Sequence, residues 1–61
     1  MPNLTSKELS ALEDQLNMEK LMVCKYRAAA ENAADEELKK KYQNYAGCHQ
    51  RNYASLLNFL K

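Results

Sequence analysis

The sequence predicts an all-α protein: an antiparallel two-helix hairpin that dimerises into a four-helix bundle. Three observations lead there. Apolar residues recur at alternating three- and four-residue spacing through two stretches of similar length, the mark of one buried helical face. The 61 residues include one glycine and one proline, too few turn formers for a strand-rich fold, and the Leu, Ala, Tyr and Met that dominate the apolar set suit long helices. Each stripe is also wide enough that a lone hairpin would leave an apolar face in water, which a twofold-related copy would cover.

A single domain is expected over residues 1–61, with a first helix at about 6–33 and a second at about 36–60. After a short lead-in from Met1 to Leu4, Thr5-Ser6-Lys7-Glu8 reads as a capping box, with Thr5 as N-cap and Glu8 at N3. Leu4 and Leu9 occupy the positions of a hydrophobic staple. The first seam then runs Leu9, Leu12, Leu16, Glu19, Val23, Tyr26, Ala30 and Ala33, widened by Ala11, Met18, Met22 and Ala29.

Asn32-Ala33-Ala34-Asp35 marks the break. Asp35 suits an N-cap, and Glu36 and Glu37 suit a first turn that favours negative charge. The second seam carries Leu38, Tyr42, Tyr45, His49, Asn52, Leu56 and Phe59, flanked by Ala46, Tyr53, Leu57 and Leu60. One continuous rod is the alternative, since nothing here stops a helix outright. Two seams of similar length joined at a capped turn make the hairpin the expected form. Gly47 falls inside the second helix, where it either permits a close backbone approach or sits on the outer face.

The net charge of +1 gives no global field directed at nucleic acid or membrane. Lys39-Lys40-Lys41 follows Asp35-Glu36-Glu37 at a spacing of four, so helical ion pairs are expected to occupy the lysines. The longest purely apolar run, Leu21-Met22-Val23-Cys24, is too short for a bilayer span or a signal-peptide core. The expectation is a soluble protein, not secreted by the usual route. Cys24 and Cys48 form neither a disulfide framework nor a CxxC motif and are expected as free thiols. No nucleophile–base arrangement or phosphate loop is legible, and adjacent helical residues point about 100° apart, so Cys48 and His49 make no dyad. The chain is expected not to be an enzyme.

What stands out is the pair of ionisable residues inside the seams. In a hairpin folded at Ala34, residues equally far from the turn come level, and Glu19 and His49 each lie fifteen positions from it. The same rule sets Val23 against Tyr45, Tyr26 against Tyr42 and Leu16 against Asn52. A dimer would gather two Glu19 and two His49 side chains in its central layer. Two readings stand side by side: a hydrogen-bonded polar layer that fixes register, or a metal site for iron, zinc or manganese built from imidazole and carboxylate.

The run from Leu4 through Thr5-Ser6-Lys7-Glu8-Leu9 to Glu19-Lys20-Leu21, followed by Cys48-His49-Gln50-Arg51-Asn52-Tyr53-Ala54-Ser55-Leu56-Leu57, resembles the coat F group of small bacterial spore coat proteins. That group is similar to the ferritin-like superfamily, and a chain this short looks like half of a ferritin-like four-helix bundle. The resemblance implies a spore-forming source and a structural role among other spore coat proteins. It also implies a chain that is cytoplasmic in the mother cell and then part of the coat. Ferritin-like di-iron sites take one glutamate and a Glu-x-x-His motif from each half. Glu19 matches the first and His49 the histidine, but alanine stands at 46 where the motif's glutamate would be. The resemblance therefore implies a degenerate central layer, with at most a single ion per dimer held by Glu19 and His49. It also makes Cys24, Cys48 and the four tyrosines possible cross-linking groups in a coat.

Overall fold

A computed structural model describes residues 3–60 as two α-helices, α1 (Ser6–Asn32) and α2 (Glu36–Phe59), packed against each other as a hairpin. Met1 and Pro2 of the lead-in, and Lys61, lie outside the described residues. Among the described residues there is no strand, and no helix is long and apolar enough to cross a membrane.

Both helix starts rest on side-chain caps. Thr5 Oγ1 accepts from the Glu8 backbone N–H at 3.1 Å, and Glu8 Oε1 accepts from the Thr5 N–H at 3.0 Å. Two of the donors left over at a helix start are satisfied reciprocally. At the second start, Asp35 Oδ1 accepts from the N–H groups of Glu37 at 2.8 Å and Leu38 at 3.3 Å. Between the helices Ala33 and Asp35 are extended, with ψ of 127° and 124°. The extended Ala33 ends α1 one residue earlier than the periodicity suggests. Among the described residues none has a positive φ, so the reversal needs no glycine.

The expected ion pairs of Asp35, Glu36 and Glu37 with Lys39, Lys40 and Lys41 do not form; the only ion pair among the described residues joins Glu19 and His49. The Asp35 carboxylate is committed to the α2 cap. For the other two, an exposed pair gains too little to hold two long side chains in one geometry.

The first seam faces α2 as its spacing requires. Glu19, Val23 and Ala30 are buried, and Leu12, Leu16, Tyr26 and Ala33 are half-buried. The second seam is rolled relative to expectation. Ala46 is buried, and Tyr42, His49, Tyr53, Leu56 and Leu60 are half-buried, whereas Leu38, Tyr45, Asn52 and Phe59 are exposed. An alanine holds the helices apart less than a tyrosine does, and α2 turns Ala46 inward while Tyr45 stays exposed.

The roll gives the hairpin two unlike broad sides. At about 100° per residue, Met18, Tyr45 and Phe59 fall on one side, and they are 53%, 47% and 54% exposed. The other side is an open groove of about 660 Å³ with Ala30, Ala46 and Gly47 among its lining residues. Gly47 thus borders a groove and meets no opposing backbone. The only atom near the position of an added Cβ is Arg51 Nη1, at 3.5 Å.

The resulting body is a rod of 46 × 15 × 10 Å with a radius of gyration of 14.3 Å. A compact chain of this length would have a radius of gyration of about 10.5 Å. No large side chain is fully buried, and the apolar core of the described residues is Val23, Ala30 and Ala46.

Candidate functional site

The structure brings the two polar seam residues together at mid-length of the rod. Glu19 faces α2 and is 7% exposed. His49 Nδ1 is hydrogen-bonded to Glu19 Oε1. An ionised carboxylate only accepts, so Nδ1 carries the proton of this bond, and in the neutral form of the ring the lone pair would lie at Nε2.

Two amides complete the carboxylate. Gln15 Nε2 donates to Glu19 Oε2 at 3.0 Å from one turn earlier on α1, and Asn52 Nδ2 donates to the same oxygen at 3.5 Å from α2. Among the described residues, no buried side-chain nitrogen or oxygen lacks a partner. The bond from His49 is the largest influence on the Glu19 carboxyl and holds it below the ordinary value of 4.5. Burial pushes the other way, and the amides of Gln15 and Asn52 add to the lowering. Stabilisation of the charged form outweighs its desolvation.

Aromatic rings wall the imidazole. Tyr26 stacks on His49 with centroids 5.7 Å apart and planes 8° from parallel. It also stacks on Tyr42 at 6.0 Å and meets Tyr45 edge-on at 5.2 Å. These offset and edge-on arrangements lie within the favourable range for ring pairs. Tyr26 and His49 are half-buried, and the imidazole is held by a carboxylate at one nitrogen and a ring against its face.

Glu19 and His49 meet as the level rule predicts, as do Tyr26 and Tyr42. Two participants were not legible as such. The seam spacing sets Asn52 level with Leu16, yet its amide reaches Glu19, one turn away. Nothing in the seam pattern marks Gln15, although its place four residues before Glu19 is the spacing at which helical side chains touch. Cys24 and Cys48 are both exposed and unpaired.

The donor set does not fit a di-iron centre of the ferritin-like kind. Both Glu19 oxygens already accept hydrogen bonds, from His49, Gln15 and Asn52. Position 46, where a second carboxylate would be needed, is a buried alanine. Among the described residues no three His, Cys, Asp or Glu side chains converge as a metal-holding group. What the layer does offer is an imidazole whose Nδ1–H is held by a carboxylate, an arrangement that also orients metal-bound histidines.

The chain matches no protein-family model, and neither a curated protein nor a solved structure is significantly similar to it.

Proposed function

We propose that this chain is a structural protein of the bacterial spore coat, not an enzyme. In this reading two hairpins pair about a twofold axis into a ferritin-like four-helix bundle that associates with other coat proteins. The observation that carries self-association is the thinness of the core. Val23, Ala30 and Ala46 are the buried apolar residues, while Met18, Tyr45 and Phe59 share one largely exposed side. A helical pair with so little enclosed apolar surface gains stability by covering that side with its own copy. The coat assignment rests on the likeness of the capped start and the His49 stretch to the coat F group.

Within such a bundle Glu19 and His49 serve as a register pin. Sliding one helix by a turn against the other would strand a carboxylate among apolar side chains, at the full cost of an unpaired buried charge. Exposed Cys24 and Cys48 would be available for cross-links between coat proteins. The test is solution mass and elemental analysis on one sample. A metal-free dimer is expected, and a monomer at tens of micromolar overturns self-association. Absence of the tagged chain from coat extracts of a spore-former would overturn the coat assignment.

The carboxylate-held imidazole favours a second reading, a metal-binding protein. His49 Nε2 from each of two copies would bind one iron, zinc or manganese ion per dimer, with Glu19 orienting the ring or joining as ligand. Near-stoichiometric metal that disappears in His49→Ala, together with a melting temperature raised by added metal through mass action, would favour this reading over the first.

A further inference from the structure

The groove on the side away from Met18, Tyr45 and Phe59 is lined by Arg27, Lys39 and Arg51, with Glu31 as its one acidic residue. Lys20 stands in an adjoining cleft of about 240 Å³ that shares Arg27 and Gln50 with the first. Four cations and one carboxylate give the lining of the two clefts a formal charge of +3, against +1 for the whole chain.

None of these cations is neutralised within the hairpin, because the only ion pair among the described residues joins Glu19 and His49. Arg27 and Glu31 are four apart on α1, a spacing at which helical charges can pair, and they do not. Gln43 and Gln50 line the same groove and are exposed. Three cations and one carboxylate leave the groove lining net positive, which favours a bound anion.

We propose that the groove binds an oligophosphate, either free or as the tail of a nucleotide. Guanidinium forks match phosphate oxygens bidentately, and two amides supply neutral donors beside them. A volume of about 660 Å³ falls in the range of small-molecule sites and leaves room for several linked phosphates. Ala30 and Ala46 contribute short side chains to the lining and Gly47 none, which keeps the site concave.

The experiment is a titration of the ¹⁵N-labelled full chain with sodium tripolyphosphate at about 150 mM salt, where charges more than about 8 Å apart are screened. Saturable shifts are expected at the amides of Arg27, Gln43, Gly47, Gln50 and Arg51. Arg27→Gln and Arg51→Gln are each expected to weaken binding at least about tenfold, as loss of a charged hydrogen-bonding group does. Both residues are exposed, and circular dichroism checks that the helices persist. Lys25→Gln, exposed and outside the groove, is expected to retain the affinity. Adenosine triphosphate separates the two sources: equal affinity points to the phosphate chain, and tighter binding with added shifts at Ala46 and Gly47 points to a nucleotide. Absence of saturation, an equal loss in Lys25→Gln, or equal binding of a hexaglutamate peptide each overturns the proposal.

Discussion

Replacing Gly47 by alanine is expected to make the protein more stable. Gly47 is the twelfth residue of the 24-residue α2, far enough from either end for the full helical preference to apply. An interior glycine costs roughly 1 kcal/mol relative to alanine, because it loses more backbone freedom on folding. Two features would cancel that gain, a positive φ or a crowded Cβ, and neither is present. No glycine has a positive φ, and an added methyl meets only Arg51 Nη1, at an ordinary contact distance of 3.5 Å. The full increment of about 1 kcal/mol should therefore appear, raising the melting temperature by roughly 4–8 °C for a domain of this size. Thermal melts followed by circular dichroism at matched chain concentration measure it, since association would make the midpoint concentration-dependent. An unchanged or lower midpoint would refute the reasoning and show that the backbone at Gly47 is approached by something the hairpin alone does not contain.

Three further outcomes are expected. Thr5→Ala removes a reciprocal cap and should cost about 1 kcal/mol in chemical denaturation; Asp35→Ala, which strips two N–H groups of their acceptor, should cost at least as much, and a smaller loss at Asp35 would contradict the cap geometry. Acid should destabilise the hairpin through Glu19. Its folded carboxyl lies below the ordinary 4.5, chiefly through the His49 bond, so its contribution is complete above that value and is lost as pH falls through the depressed one. Urea midpoints between pH 6 and pH 2 should fall less in Glu19→Gln than in the parent, and identical pH profiles would sink the assignment. Finally, Glu19→Leu and His49→Leu should each lower the melting temperature, whereas the double replacement should recover part of the loss, since an apolar pair strands no polar partner. Strictly additive losses would mean the two side chains are not energetically coupled.

Backbone-level features were the most legible. The capping box at Thr5, the cap at Asp35 and the first seam follow from spacing and from which side chains can satisfy free helix-end N–H groups, both local properties of the chain. The meeting of Glu19 with His49 was legible because it depends on one long-range quantity, the turn centre, and Ala34 lies midway between Asn32 and Glu36. The roll of α2 was not legible. Tyr45 and Ala46 are both apolar neighbours of the same stripe, and periodicity cannot say which of two adjacent stripes turns inward. Side-chain volume at the contact decides that, and it becomes visible only when the two helices are docked. The Glu19 shell was half legible for the same reason. A polar residue exposed at the edge of a seam, such as Gln15 or Asn52, reads as solvated until a buried acceptor within reach gives it a partner.

The satisfied state of Glu19 decides how the central layer should be weighed. A carboxylate has about four lone-pair sites to share between hydrogen bonds and a metal. Here one oxygen is taken by an imidazole and the other by two amides, on a residue 7% exposed. Recruiting that carboxylate would set a metal in competition with three hydrogen bonds for its lone pairs, and position 46 offers no second carboxylate to join it. The same bonds make a good register device, because they form only when residue 19 of one helix stands level with residue 49 of the other. The geometry thus favours pinning over ligation for Glu19 and leaves any metal to His49 Nε2. The two roles separate experimentally: Glu19→Gln should disturb helix pairing whether or not metal is present, whereas His49→Ala should abolish metal binding only if the second reading holds.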